Sequence, residues 1–231
     1  MDSLTIAGDV RGGSVSGADS LTHSGFIFGF DVGKIIVRGS IISGSDSSTG
    51  TLDFSGAIDV NSAQSVEVRG DLVGNSTEPV TIRAFRADAM GYGFHRILIA
   101  GDVHYANLFG GAGISSHAPD TRIGSVQVNG NWSASNLVAG CDAGADRLFG
   151  TADDANAVGV PATLAVIERV VIRGAITGTS DPGDHFGIVA QEIRSVTIRG
   201  AAIPLTAGPA NDVVALIPTG TGDFTLREVA V

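Results

Sequence analysis

Eight residues, Ser65-Val66-Glu67-Val68-Arg69-Gly70-Asp71-Leu72, return in near-copy along the whole chain. Written as apolar, any, apolar, any, Gly, any, apolar, the motif occurs as Leu4-Thr5-Ile6-Ala7-Gly8-Asp9-Val10, Ile35-Ile36-Val37-Arg38-Gly39-Ser40-Ile41 and Ile97-Leu98-Ile99-Ala100-Gly101-Asp102-Val103. It continues as Val126-Gln127-Val128-Asn129-Gly130-Asn131-Trp132, Val170-Val171-Ile172-Arg173-Gly174-Ala175-Ile176 and Val196-Thr197-Ile198-Arg199-Gly200-Ala201-Ala202. An eighth copy, Phe224-Thr225-Leu226-Arg227, ends in Glu228 instead of Gly.

The motif glycines stand at 8, 39, 70, 101, 130, 174 and 200, in steps of 31, 31, 31, 29, 44 and 26 residues. Periods of that size mark stacked repeat architectures. Residues two and four before each Gly are apolar while their neighbours vary, which is the alternation of a strand with one buried face. One such strand cannot bury its apolar side alone. Equivalent strands stacked in register can, forming a parallel sheet with an inner column of Val, Ile and Leu.

Other short apolar runs share each period. Ile41-Ile42 and Thr51-Leu52-Asp53-Phe54 follow the second motif, and Leu72-Val73 and Val80-Thr81-Ile82 follow the third. A further apolar column lies seven residues before the Gly, at Val32, Ala63, Phe94, Ile123, Ile167 and Ile193. Three strands per period, separated by Gly, Ser, Asn and Asp bends, predict an all-β chain: a right-handed parallel β-helix of about eight coils forming a single domain over residues 1–231. Helical pattern is nearly absent, with at most a turn or two from Ala162 to Glu168. Met1 stands two residues from the first motif strand and neither terminus offers an amphipathic lid. The chain therefore reads as a segment of a larger protein that self-associates through open solenoid ends, or else was cut from an array that supplied its neighbours.

A net charge of -10 sets nucleic acid aside as a partner, because phosphate binding needs a basic stripe. No apolar run is long enough to cross a membrane. Of the 24 acids 19 are Asp, the residue of Asx bends and oxygen-rich cation sites. Cys141, the single cysteine, cannot form an internal disulfide.

The 44-residue step contains an acidic insertion at about residues 140–160. Its spacing is similar to a degenerate EF-hand-type loop for calcium, with Asp142, Asp146, the Leu148 carbonyl, Asp153 and neighbouring Asp154 as ligands. It departs from that pattern at Gly144, at Arg147 in place of the turn glycine, and at Asp153 in place of a bidentate Glu.

Asn136-Leu137-Val138-Ala139-Gly140 followed by this loop, then Phe186-Gly187-Ile188-Val189-Ala190-Gln191-Glu192-Ile193 and Thr221-Gly222-Asp223-Phe224-Thr225-Leu226-Arg227-Glu228-Val229, resembles the β-helical repeat regions of very large bacterial surface or secreted, adhesin-like proteins. That resemblance implies an extracellular structural or adhesive module, often associated with calcium.

Two surface readings follow from the register. Arg38 and Arg69 take one outward position on adjacent coils about 4.8 Å apart, with Arg173, Arg199 and Arg227 farther on, and form either a neutralised strip or a groove for an acidic polysaccharide. Asp71 and Asp102 follow the Gly on neighbouring coils with His104 close by, the one grouping that suits a polysaccharide lyase or glycoside hydrolase. The Asn-x-Asp, Asp-Asp and Gly-His-Gly run of the pectin hydrolases is missing. Trp132 sits in the apolar column after the Gly and is expected in the core.

Overall fold

The computed structural model describes residues 1–112, 118–157, 163–216 and 223–230, and every regular element among them is a β-strand. Ser3–Ile6, Phe26–Val37, Ala57–Val68, Tyr92–Ile99, Arg122–Val128, Val166–Ile172 and Val196–Ile198 pair in that order, all parallel. Val37, Val68, Ile99, Val128, Ile172 and Ile198 face one another along this stack. The sequence period is therefore the pairing step. The first five of these residues are fully buried, and each such side chain contributes roughly 1.5–3 kcal/mol of burial. The column at Val32, Ala63, Phe94, Ile123, Ile167 and Ile193 is likewise in register and buried. Val166–Ile172 is strand, so the helical turn expected up to Glu168 is replaced by extended chain. Ala162, Ile217, Pro218, Thr221 and Gly222 lie outside the described residues.

The residues just past each Gly make a second, six-stranded parallel sheet. It runs through Val10–Arg11, Ile41–Ile42, Leu72–Val73, Val103–His104, Trp132–Ser133 and Ile176–Thr177. The first residue of each pair is buried, Trp132 among them, and the Trp132 indole donates to the Ser135 carbonyl at 3.0 Å.

A third stack comprises the first halves of Phe26–Val37 and Ala57–Val68, then Val80–Ala84, Ala106–Gly110, Asn136–Ala139, Phe186–Ala190 and Phe224–Glu228. Two twelve-residue strands run through both this stack and the motif stack, so the two form one curled, mostly parallel sheet of fifteen strands. Ile58, Ile82, Leu108, Leu137, Ile188 and Leu226 line its inner side and join the other columns in one core.

Phe224–Glu228 therefore belongs to the third stack and not to the motif stack, which holds seven copies. The alternation Phe-x-Leu matches both stacks, and only the missing Gly separates them. Arg227 accordingly stands beside Val189 rather than in line with Arg173. Thr51–Phe54 and Val80–Ile82 are not equivalent either. Leu52–Asp53 pairs with Leu21–Thr22, whereas Val80–Ala84 pairs with the start of Ala57–Val68.

Five of the seven motif glycines, all but Gly8 and Gly200, are explained by the neighbour one repeat back. A Cβ on Gly39, Gly70, Gly101 or Gly130 would lie 2.1, 2.3, 1.9 or 2.2 Å from a side-chain oxygen of Asp9, Ser40, Asp71 or Asp102. Those oxygens accept the backbone amides of Ser40, Asp71, Asp102 and Asn131, and Asn131 Oδ1 accepts that of Ala175. A side chain at the Gly would displace the cap.

The last repeat departs from this scheme. Arg199 and Gly200 both have positive φ, 52° and 79°, the two-residue turn that reverses a hairpin, and Ala201–Ala202 folds back antiparallel on Thr197–Ile198. Val213–Ala215 likewise runs antiparallel on Phe224–Glu228. At this end the large sheet therefore finishes in two short antiparallel strands instead of a further parallel coil. Buried Glu228, standing where a Gly was expected, accepts the amides of Ile193 and Asn211 and holds the irregular turn in place.

Candidate functional site

The outer side of the third stack carries two rows. Thr81, Asn107 and Asn136 form one, and Phe28, Asp59, Arg83 and Phe109 form the other, each residue beside its equivalent on the next strand. Asn136 Nδ2 donates to Asn107 Oδ1 at 2.9 Å and Asn136 Oδ1 accepts the Gly187 amide at 2.9 Å, which fixes both amide groups. Arg83 is held by Asp59 through Nε at 3.0 Å and a terminal nitrogen at 2.5 Å, and its guanidinium lies 5.1 Å from the Phe54 ring centre. Asp59 is buried, so the pair is a fixed, planar polar fork on the sheet surface.

The insertion supplies a wall. Cys141–Asp142 and Ala155–Asn156 pair antiparallel, and Phe149 packs on Phe109 at 5.3 Å between ring centres. Between this hairpin, the outer rows and the Phe54 corner lies a cleft of about 780 Å³, lined by Arg83, Asn107, Asn136 and Asp142 among others. A second cavity of about 210 Å³ shares Asn107, Asn136, Arg147 and Phe149 with it and extends to Tyr105, Asp184 and His185. The two form one groove along the stack.

Four non-glycine residues lining this groove, Phe54, Tyr105, Ala134 and Arg147, have left-handed φ of 52°, 46°, 46° and 64°. Such conformations cost on the order of 1–3 kcal/mol each and persist where surrounding structure enforces them, commonly at functional sites. Burial lowers the pKa of His185, whose Nε2 lies 3.0 Å from Thr225 Oγ1, and so favours the neutral ring. Burial also raises the Tyr105 phenol, helped by Asp181 and Asp184, which keeps it a hydroxyl. The groove offers side-chain amides, hydroxyls, carboxylates and flanking rings, with the Arg83 fork engaged by Asp59.

No family model, curated protein or solved structure matches this chain.

Within the insertion, Asp142 and Leu148 line the groove. Asp153 accepts the amides of Ala145 and Asp146 and the Thr151 hydroxyl, which holds its pKa down at about 2. Asp146 accepts the Leu148 amide, and Asp154 accepts that of Gly150. These oxygens point to backbone donors rather than to a common centre, and among the described residues no group of three His, Cys, Asp or Glu converges to hold a metal.

Arg38 and Arg69 are exposed on adjacent motif strands, but Arg69 bends back to Glu67 at 2.9 Å, which Lys34 also contacts at 3.2 Å. Asp71 and Asp102 do stand on neighbouring repeats, as the register requires, each serving as an amide cap. His104 Nδ1 lies 2.7 Å from Ser133 Oγ. None of these five residues lines the groove. The groove residues Thr81, Arg83, Asn107 and Asn136 were not singled out in the sequence. The repeated Asn-Leu pair at 107–108 and 136–137 was their one visible signal.

Proposed function

We propose that this chain is a right-handed parallel β-helix module of a bacterial surface or secreted protein, and that it serves adhesion by holding a glycan chain in the groove. Three in-register stacks joined through a common core support the β-helix, and parallel crossovers take the right-handed sense. The observation that carries the glycan reading is the groove itself: aligned Asn107 and Asn136, the Arg83–Asp59 fork and the Phe54 and Phe109 rings across successive strands. Binding is favoured over hydrolysis because Asp71 and Asp102 are committed to capping the next repeat.

The test is retention of the purified chain on a panel of immobilised polysaccharides, followed by calorimetry with oligosaccharides of the best binder. Asn107→Ala with Thr81→Val removes two polar contacts without uncapping a backbone amide. Affinity should fall at least about tenfold, the loss of roughly 1.4 kcal/mol, with the melting temperature retained. Retention on none of the polysaccharides, or unchanged affinity in the double variant, overturns the reading.

A further inference from the structure

The groove does not end at Phe54. Phe26 lies 5.6 Å from Phe54, Phe28 lies 6.3 Å from Phe26, and Phe30 and Phe85 lie 5.6 and 6.4 Å from Phe28. Phe28 is 55% exposed and Phe30 68%, the most exposed large apolar side chains of the strands apart from Val213. Phenyl rings gathered on an outer strand face, continuous with a polar groove, are the kind of apolar patch that marks a binding surface. Phe28 shares the outer row of Asp59, Arg83 and Phe109, so shelf and groove follow one line of strands. At a strand spacing of about 4.8 Å, the line from Phe28 to Phe109 is roughly 15 Å long.

Charge narrows the occupant. Asp53, Asp142 and Asp184 line the groove, Arg83 is neutralised by Asp59, and Arg147 is outnumbered on a chain of net charge -10. A polyanion would meet repulsion here at low salt. The uncharged hydrogen-bonding groups of the groove include Thr81, Asn107 and Asn136, while the shelf offers ring faces that stack on an apolar sugar face. Resting on the glycan-binding reading above, we propose that the ligand is a neutral polysaccharide whose ring faces are apolar and whose hydroxyls lie at the edges, such as a β-1,4-linked glucan. Its hydroxyl edges lie in the groove and its rings continue over the shelf of Phe26, Phe28, Phe30 and Phe85.

The experiment is calorimetry with cellohexaose, cellobiose and an oligogalacturonate of matching length, on the wild type and on Phe28→Ala/Phe30→Ala. The hexasaccharide should bind the wild type, the oligogalacturonate should not, and the double variant should lose about tenfold or more for the hexasaccharide alone. Phe28→Tyr/Phe30→Tyr keeps the ring faces and should retain binding. Tighter binding of the oligogalacturonate overturns neutrality and leaves the glycan reading standing. Equal hexasaccharide affinity in wild type and Ala variant, with Asn107→Ala still weakening it, overturns the shelf alone. A wild-type dimer in sedimentation that the Ala variant converts to monomer overturns it too, by assigning the rings to a second copy. Binding of no sugar by the wild type overturns both readings.

Discussion

Asp71 Oδ1 accepts the backbone amide of Asp102 at 2.8 Å, from a position 31 residues earlier in the chain. The same contact recurs from Asp9 to Ser40, from Ser40 to Asp71, from Asp102 to Asn131 and from Asn131 to Ala175. Any short side chain with an acceptor oxygen serves. Asp71→Asn or Asp71→Ser should therefore be nearly neutral, and Asp71→Ala should cost about 1 kcal/mol in urea denaturation. Gly101→Ala, whose Cβ would lie 1.9 Å from Asp71 Oδ1, should cost more. Combined with Asp71→Ala it should cost less than the sum of the two, because the obstructing oxygen is gone. Strict additivity would contradict this account of the glycines.

Val68 is fully buried between Val37 and Ile99, whereas its neighbour Glu67 lies on the outer face with Lys34 and Arg69. Val68→Asp should unfold the chain or cost several kcal/mol, since it strands a charge in a dry column. Glu67→Thr should cost less than about 1 kcal/mol. Thermal melts of the two variants check the alternation, and equal losses would contradict it.

Burial raises the Asp154 carboxyl from 3.8 to about 7, against the pull of the Gly150 amide and Arg227. Glu78 rises from 4.5 to about 7, chiefly by burial and then by Asp53 and Asp46. Between about pH 4 and pH 7 the folded chain keeps protons that the unfolded chain has released, so these two groups favour folding at low pH and lose that contribution as pH rises through 7. His185, whose pKa burial lowers, acts in the opposite sense as pH falls below its ordinary 6.5. The measurement is therefore a difference. The melting temperature of wild type minus that of Asp154→Asn/Glu78→Gln should be larger at pH 5 than at pH 8, and a flat difference would contradict the raised values.

Calcium at Asp142, Asp146, Asp153 and Asp154 would require the loop to re-form, since Asp153 and Asp146 now accept backbone amides. Melting curves in millimolar calcium and in chelator test it, because an ion binding only the folded state raises the transition, and coincident curves would exclude the site. A rise of several degrees that Asp153→Asn removes would show the loop re-forming around the ion.

The period, the strand alternation, the buried corner column and Trp132 in the core were all legible, because each is a statement about residues that recur at fixed offsets. What the repeat could not convey was which outer positions face a cavity. Arg83 and Arg38 look alike in sequence, yet Arg83 sits beside a buried Asp and under a folded insertion, whereas Arg38 stands exposed on an open face. The cleft is made by the insertion folding over the third stack, and that placement depends on Phe149 meeting Phe109 across a gap of forty residues. The closing hairpin at Arg199-Gly200 was missed because it sits inside an otherwise regular copy, where a Gly read as another bend is the start of a reversal.

The ladder of side-chain caps also gives the stack mechanical properties. Each repeat is fastened to the next by the same few contacts, so a load pulling on the two ends passes through the repeats in series. Under such a load the repeats should peel one at a time. The release lengths are set by the spacing of the motif glycines: 31 residues for each of the first three steps and 44 where the insertion intervenes. At about 3.4 Å per extended residue, the early steps each pay out roughly 100 Å of chain. A chain released in this way lengthens in defined increments.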